Sequence, residues 1–241
     1  MESQFTPGVR PLYRQVHDYL IEQVAAGTWK PGTALPSEQA LGQQLGVSQG
    51  TVRKALDELT ANGVMERHQG KGTFVAANSE ERSLFRYFHL CTPGGERVTP
   101  SSTGEKVTRR SASAADAAKL GLASRAKVIE IKRVRLIDEQ PVIFETIIVP
   151  AAMLPGLDTR KTLPNSLYSL YHSVYGINIG SVKEELRADR AGKEDRERLG
   201  VALGSPLLHI DRVAFGIVGT RVEWRISRCS TAHHVYSVEL S

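Results

Sequence analysis

The chain has 241 residues and is 41% hydrophobic, which excludes an intrinsically disordered protein and leaves room for two domains. The first ten residues, MESQFTPGVR, contain no apolar run, and apolar stretches such as PVIFETIIVP are too short to span a membrane, so we expect a cytoplasmic protein without membrane contact. Residues 1–78 carry equal numbers of acidic and basic side chains, so the net charge of +5 lies in the remainder and does not by itself indicate nucleic-acid binding.

Three helices are predicted before residue 65. Apolar residues recur at three- and four-residue steps from Leu12 to Val24, and Gly27 can end this first helix. After a loop rich in Pro and Gly, Ser37 can cap a second helix, and Ser48 can cap a third. The apolar faces of the second and third helices consist of Ala40, Leu41, Leu45, Val52, Ala55, Leu56 and Leu59.

Two short extended runs, VMER and TFVA, follow the third helix and are separated by HQGKG. This pattern predicts a β-hairpin with a Gly-rich, basic tip. A helix, a tight turn, a second helix and a hairpin wing are the elements of a winged helix-turn-helix. In that arrangement the N-terminal end of the last helix enters the major groove of DNA.

Residues 46–50, GVSQG, also fit the G-x-S-x-G pattern of hydrolase nucleophiles, which would make Ser48 catalytic. A nucleophile elbow needs an apolar strand before the serine, whereas the preceding SEQALGQQL has helical periodicity. We therefore interpret Ser48 as a helix cap and predict no catalytic residue.

The exposed side of the third helix carries charges suited to DNA. Arg53 and Lys54 lie near the helix start, where free amides and the helix dipole favour phosphate. Asp57 and Glu58 lie one turn later and would repel a phosphate, so only the first half of the helix can face DNA. Lys71 at the wing tip can reach a phosphate or the minor groove. The alternative is that these cations are ordinary solvated surface charges.

Residues 11–75 closely resemble the DNA-binding domain of GntR-type bacterial transcription regulators, through the blocks LPSE, TVRKAL and GKGTFV. The resemblance implies DNA contacts from the starts of the second and third helices and from the wing. Gln39 and Gln49 stand where this family usually has Arg, and because Gln favours adenine whereas Arg favours guanine, we expect a different operator. The predicted DNA-binding residues are Gln39, Ser48, Gln49, Gly50, Thr51, Arg53, Lys54, Gly70 and Lys71.

Residues 76–83, AANSEERS, are polar and indicate a linker between domains at 1–75 and 84–241. Extended runs dominate the second part: LFRYFHL, KVTRR, KVIEIKRVRLI, PVIFETIIVP, INIGSVKEELRA, PLLHIDRVAFG and TRVEWRISRCS. Its helical stretches are SAADAAKLG, LYSLYHSVYG and KEDRERLG. Many strands with few helices imply an α+β domain with an antiparallel sheet.

Charged residues interrupt two predicted apolar strand faces. Arg133 and Arg135 continue the face of Ile129 and Ile131, and Glu145 interrupts the stripe of VIFETIIV. A charge in an apolar row needs a partner or a ligand. The alternative to a binding site is an Arg–Glu cross-strand pair that only closes the hairpin.

The register of this hairpin decides whether these charges can meet. A regular hairpin that turns at DEQP pairs Ile137 with Val142 and leaves Glu145 on the opposite face from both Arg133 and Arg135. Placing Glu145 across from either arginine requires an odd-length loop or a bulge. We therefore predict an irregularity in the hairpin, or a pocket at the sheet rim that both faces can reach.

Residues 84–240 resemble the UTRA effector-binding domain of the HutC branch of the same family, through SLYSLYHSVYGI, RLGVALGSPLLHIDRVAF and VEWRISRC. That domain is similar in fold to chorismate lyase but senses a small molecule. In UTRA relatives the pocket is lined at the positions of Arg133, Arg135, Glu145, Ser166 and Glu223. His89 is a further candidate, although a lone His beside aromatic residues is more often structural. The two arginines indicate an anionic effector, a phosphate or a carboxylate.

The predicted fold class is therefore α+β, with an N-terminal winged helix-turn-helix domain and a C-terminal antiparallel-sheet domain of chorismate-lyase-like (UTRA) fold. The predicted function is a metabolite-responsive repressor that binds a palindromic operator in double-stranded DNA as a homodimer. One alternative is a lyase-like enzyme with an appended DNA-binding domain. Another is a winged-helix module for protein contacts.

No cofactor is expected. Cys91 and Cys229 are far apart, match no metal-binding spacing and are interpreted as reduced thiols. His233 and His234 are adjacent, and on a strand they would point to opposite faces, so we expect no metal site there.

Overall fold

The structure is a computed structural model that describes residues 10–76, 84 and 86–239. The chain forms two compact units. Among the described residues, the first unit consists of residues 10–76 with the short segments Gly176–Ser181 and Gly216–Thr220, and the second consists of the others. Apart from Ala76, the predicted linker lies outside the described residues, and the domain boundaries stay a prediction.

The first unit contains the three predicted helices, α1 (Leu12–Ala25), α2 (Glu38–Leu45) and α3 (Gln49–Ala61). Ala40 is exposed, contrary to our prediction, because α2 turns Leu41 and Leu45 inward instead. The shared core is built from the apolar positions of all three helices and of the wing: Val16, Leu20, Val24, Leu41, Leu45, Val52, Ala55, Leu56, Leu59, Met65 and Val75.

The turn between α2 and α3 depends on two glycines. Gly46 ends α2 with a left-handed backbone at φ 66°, a conformation that side chains with a Cβ rarely adopt. Gly42 approaches the turn so closely that a Cβ there would lie 2.9 Å from the Val47 carbonyl oxygen. These two positions therefore fix how α3 leaves α2.

The wing is an antiparallel hairpin of β1 (Met65–His68) and β2 (Gly72–Val75), in which Met65 pairs with Val75 and His68 with Gly72. The turn carries Gly70 at φ 72° and presents Lys71 to solvent. The predicted hairpin with a basic tip is confirmed.

The second unit is built on a six-stranded sheet with helices packed on it. The described strands are β3 (Leu90–Cys91), β4 (Ser101–Ser111), β5 (Lys127–Ile137), β6 (Gln140–Pro150), β7 (Ile179–Arg190), β8 (Pro206–Gly216), β9 (Arg221–Cys229) and β10 (Val235–Tyr236). The sheet order is β4-β5-β6-β9-β8-β7, and β3 pairs separately with β10. The helices are α4 (Ala114–Leu120), α5 (Leu167–Tyr175), α6 (Lys193–Leu199) and a short 3-10 helix, Leu157–Thr159.

Two local predictions are wrong. Leu84, Arg86 and Tyr87 have helical backbone, so LFRYFHL is not one extended run, and only its last residue, Leu90, belongs to a strand. A short apolar run fits a helix as well as a strand, and its periodicity does not separate the two. His233 and His234 precede β10 instead of lying on a strand, so the alternation of strand side chains does not apply to them.

The β5–β6 hairpin contains the predicted irregularity. Ile137 pairs with Gln140 across a two-residue turn, and both turn residues, Asp138 and Glu139, have positive φ, as the tight turns of hairpins require. The pairing shifts between Arg135 and Leu136, so that Val142 is left without a partner on β5 and forms a bulge on β6. Beyond the bulge, Arg135 pairs with Ile143 and Arg133 with Glu145.

The two faces of the sheet therefore carry different kinds of side chains. One face packs against helices through clusters that include Val128, Ile148 and Leu120 or Val134, Phe144 and Leu199. The other face brings Arg133, Glu145 and their neighbours on β8 and β9 together. In the part of the chain that the structure describes, no helix is both long and apolar enough to cross a membrane.

Candidate nucleic-acid interface and ligand pocket

Ser48 is the N-cap of α3. Its Oγ accepts a hydrogen bond from the Thr51 amide at 3.2 Å and lies 2.9 Å from Thr51 Oγ1. The residues before Ser48 form α2 and the turn, so no strand leads into a nucleophile elbow. The interpretation of Ser48 as a helix cap is confirmed.

The predicted DNA-contact residues lie on the starts of α2 and α3 and on the wing turn. All of them are exposed except Thr51, which is half-buried behind the Ser48 cap. An open groove between α2 and the wing has Gln39, Gln49, Gly70 and Lys71 among its lining residues. The structure thus brings three separate parts of the sequence to one surface.

Lys54 and Arg53 make different contacts although they are neighbours in the chain. Lys54 Nζ lies 4.0 Å from the centre of the Tyr13 ring, a cation–π contact with α1. Arg53 Nε donates to Glu38 Oε2 at 2.9 Å. Glu38 was not among the residues predicted from the sequence, and its carboxylate also accepts hydrogen bonds from Gln49 and Arg67.

Glu145 is held between two arginines on the second unit's sheet. Arg133 Nε donates to Glu145 Oε2 at 2.7 Å, and Arg225 Nη1 donates to Oε1 at 3.0 Å. Burial alone would raise the pKa of Glu145, but the positive charges of Arg225 and Arg133 outweigh it and hold the pKa far below its ordinary value. The carboxylate is therefore permanently ionised at neutral pH.

Glu223 is fully buried and supports Arg225 from behind. Arg225 Nε and Nη2 donate to its two carboxylate oxygens at 2.9 and 3.1 Å. The Tyr168 and Tyr171 hydroxyls, both on α5, donate to the same oxygens at 3.0 and 2.8 Å. Burial, followed by the nearby Glu223 charge, raises the pKa of both phenols, so both hydroxyls keep their protons. Together with Arg133 and Glu145, these side chains form one connected network of six groups from four elements.

Arg133 and Arg135 both contact the segment that immediately precedes α5. Arg135 Nη1 donates to the Asn165 carbonyl oxygen at 2.8 Å, and Arg133 Nη1 donates to the same oxygen at 3.2 Å. Ser166 Oγ accepts a hydrogen bond from the Ser169 amide at 3.3 Å. Both arginines therefore point to Asn165 and Ser166, which immediately precede α5.

A fourth arginine, Arg212 on β8, completes the arginine side of the site. It donates to Glu184 Oε1 and, through Nη2, to the Tyr87 carbonyl oxygen. The Tyr236 hydroxyl donates to the other oxygen of Glu184. His89 packs edge-on against the Tyr236 ring, with centroids 5.3 Å apart, and its burial lowers its pKa. His89 is therefore a neutral wall residue.

These side chains surround a cavity with an empty volume of about 570 Å³, part of which opens to solvent. Of the predicted effector residues, His89, Arg133, Arg135, Glu145 and Ser166 line the cavity, whereas Glu223 lies behind its wall. The lining residues that the sequence analysis missed include Tyr168, Arg212, Arg225 and Tyr236.

Two of the missed residues carried a readable signal. Arg225 follows Glu223 by two positions in EWR and so shares its strand face. Arg212 interrupts the face of Ile210 and Ala214 in the same way that Arg133 interrupts its own. Among residues 10–76, 84 and 86–239, no three His, Cys, Asp or Glu side chains are grouped to hold a metal ion.

Comparison with known protein families gives two matches that together cover most of the chain. Residues 12–75 match the family described as bacterial regulatory proteins, gntR family. Residues 96–234 match the UTRA domain.

Individual relatives match over both parts. The mannosyl-D-glycerate transport/metabolism system repressor MngR of Escherichia coli is 34% identical over 83% of this chain and 84% of its own. The transcriptional repressor NagR of Bacillus subtilis is 30% identical over 88% of each chain. The crystal structure of the ligand-binding domain of a GntR-family regulator from Bordetella bronchiseptica matches with a TM-score of 0.60 and 27% identity, over 65% of this chain and 98% of that domain.

Proposed function

The chain belongs to the GntR family of bacterial regulatory proteins and carries a UTRA domain, and from this premise we propose that it is a dimeric cytoplasmic repressor whose operator affinity is set by a small anionic effector. The chain is a transcription regulator, so the alternative of a lyase-like enzyme is wrong. Regulators of this family bind operator DNA, and UTRA domains bind small-molecule effectors.

The DNA surface of this proposal consists of the N-terminal ends of α2 and α3 and the tip of the wing. Ser48 caps α3 and leaves the first turn exposed, so its free amides can face a phosphate. Gln39 and Gln49 line the groove and carry amide groups that pair well with adenine. The operator half-site is therefore proposed to contain adenine where an arginine in these positions would select guanine.

The arginines of the cavity wall support an anionic effector. The wall includes the four arginines Arg133, Arg135, Arg212 and Arg225. Glu145 pairs with Arg133, Glu184 pairs with Arg212, and Glu223 pairs with Arg225. Guanidinium groups at the cavity wall would hold an anionic group of the effector through charge-assisted hydrogen bonds.

A dimer follows from the way such modules read DNA. One winged unit covers a single half-site, and a two-fold protein dimer imposes its symmetry on the DNA. The operator is therefore proposed to be an inverted repeat.

Selection of binding sites from random-sequence DNA with the purified protein tests the DNA part. We expect an inverted repeat with adenine at the positions that face Gln39 and Gln49, each contributing about 1–3 kcal/mol of discrimination. A consensus with only guanine at those positions would contradict the role given to the glutamines. Failure to select any DNA would favour a module for protein contacts.

Fluorescence anisotropy on the selected operator tests the effector part. The protein is titrated with phosphorylated sugars, organic acids and their neutral parent compounds. We expect only the compounds that carry an anionic group to release the DNA. Release by a neutral parent compound at equal concentration would contradict the anionic effector.

A further inference from the structure

The Glu38 carboxylate accepts hydrogen bonds from three side chains on two other elements of the first unit. Gln49 Nε2 and Arg53 Nε, both on α3, donate to Oε2 at 3.2 and 2.9 Å. Arg67 Nη2, on the wing strand β1, donates to Oε1 at 3.1 Å. Because Glu38 is the first residue of α2, one carboxylate joins α2, α3 and the wing.

This cluster lies on the surface proposed to face DNA. Glu38, Gln49 and Arg67 line the same open groove as Lys71. A carboxylate at this place opposes phosphate binding through its own charge. It also holds the guanidinium groups of Arg53 and Arg67, which are the groups that bind phosphates best.

The carboxylate is ionised, and both arginines are engaged. Burial raises the pKa of Glu38, but the hydrogen bonds from Gln49 and Arg53 outweigh this effect and bring the pKa below its ordinary value. Arg67 Nη2 also lies 2.8 Å from Asp57 Oδ1. Each arginine of the cluster therefore has at least one carboxylate partner within the first unit.

We infer that Glu38 is a positioning residue that determines the specificity of DNA recognition, a role that rests on the proposed operator binding. It holds Gln49 and Arg53 in place for base edges, and it withholds arginine charge from the backbone of unrelated DNA. Gln49 and Arg53 can contact operator base edges while their hydrogen bonds to Glu38 remain, whereas unrelated DNA offers phosphates only and gains the arginines only where those hydrogen bonds are lost. Glu38 thereby raises the ratio of operator affinity to non-operator affinity.

Glu38→Gln tests this role because it keeps the size of the side chain and removes its charge. The measurement is fluorescence anisotropy with a labelled operator duplex and a scrambled duplex of the same composition, between about 50 and 200 mM salt. We expect binding to the scrambled duplex to tighten about tenfold. Its log–log salt slope should steepen by about one to two, since each added phosphate contact contributes about 0.9. The affinity ratio should fall by about tenfold or more.

Two further variants make the result interpretable. Glu58→Gln removes the same charge from α3 outside the Glu38 cluster, and we expect it to change the ratio less than twofold. Glu38→Asp keeps the charge and the acidic start of α2, but its shorter side chain cannot reach all three donors, so the ratio should also fall. Equal effects of Glu38→Gln and Glu58→Gln would overturn the inference, as would an unchanged ratio in both Glu38 variants.

Arg53→Ala, measured in parallel, separates this inference from the proposed function. If the wild-type protein does not prefer its selected operator and Arg53→Ala changes nothing, operator binding through this surface is wrong. If Arg53→Ala weakens operator binding while Glu38→Gln leaves the ratio unchanged, only the role of Glu38 is wrong.

Discussion

Arg133 and Glu145 lie directly opposite each other on β5 and β6, and Arg133 Nε donates to Glu145 Oε2 at 2.7 Å with both side chains buried. The other oxygen of the same carboxylate accepts from Arg225. Because three charges are removed from water together, each depends on the other two for its stabilisation.

Arg133→Ala should therefore lower the free energy of unfolding of the second unit by about 3–5 kcal/mol, since it breaks a buried ion pair from one side. The double variant Arg133→Met with Glu145→Gln should recover most of this loss, because it leaves no unpaired charge between the strands. Urea denaturation in a Trp29→Phe background, with Trp224 as the fluorescent reporter, measures the free energy of unfolding of the single and the double variant. Wild-type stability of the single variant would contradict the interdependence of the pair.

Arg135→Ala should separate effector binding from operator binding. Arg135 donates to a backbone carbonyl and does not share the Glu145 hydrogen bonds, so its loss disturbs the fold less than that of Arg133. An effector releases DNA only by binding the non-operator conformation more tightly. We expect near wild-type operator affinity and loss of the effector response in Arg135→Ala, and the same functional result in Arg133→Ala where it folds. A gel shift with a metabolite that dissociates the wild-type complex measures the effector response. If both variants respond as the wild type does, the effector does not bind in this cavity.

Ser48→Asp should fold as well as the wild type, because Asp is as good an N-cap as Ser. It should nevertheless lose operator binding, since the new carboxylate would face the DNA phosphates at the start of α3. Circular dichroism checks the fold and anisotropy checks binding. Ser48→Ala is the control that removes the cap without adding charge, at a cost of about 0.5–2 kcal/mol of stability. Tight operator binding by the Asp variant would refute the DNA-facing placement of Ser48.

Arg53→Ala and Lys71→Ala should differ in how their effects depend on sequence and salt. Arg53→Ala should cost about 1–3 kcal/mol of operator binding if the guanidinium reads a base. Lys71→Ala should weaken all sequences alike and lower the salt slope by about one. Salt titrations on operator and scrambled duplexes distinguish the two patterns. Unchanged operator affinity in Arg53→Ala would exclude this docking geometry.

The stability of the second unit should fall in acid through Glu145. The arginines hold its pKa below the ordinary value of 4.5, so in the folded protein the carboxylate stays charged where the unfolded chain takes up a proton. Its stabilising contribution is therefore complete above about pH 4.5 and is lost as the pH falls below that value. Glu145→Gln lacks this contribution and should show a shallower decline of the urea midpoint between about pH 6 and 3. Parallel declines in the two proteins would contradict this assignment.

Much of the fold could be predicted from local pattern. The cap residues Ser37 and Ser48 and the apolar periodicity give the first three helices, and β5 and β6 follow from runs of β-branched residues. These signals are short-range, because a cap or an alternating face is decided within a few residues. The two-residue strands β3 and β10 lack such a signal, since each is a strand only through its pairing with the other.

The candidate site was only partly predictable for a related reason. Alternation identifies Arg133 and Glu145 as charges within apolar faces, but it cannot say which residues lie opposite each other. That depends on the Val142 bulge, which is a property of the paired strands. The Glu38 cluster was missed because its partners are 11, 15 and 29 residues away in the chain, and nothing local distinguishes Glu38 from an ordinary acidic residue at a helix start.

The Val142 bulge also determines where the length of this hairpin can change. A chain without Val142 joins Pro141 directly to Ile143 and keeps the pairs of Arg135 with Ile143 and of Arg133 with Glu145. Removal of Thr146, only four positions later, instead shifts every following residue of β6 to the other face of the sheet. In an alignment with related sequences, a one-residue gap at position 142 is therefore compatible with an intact strand face, whereas a gap at position 146 turns the buried side chains of Ile147 and Val149 to the other face of the sheet.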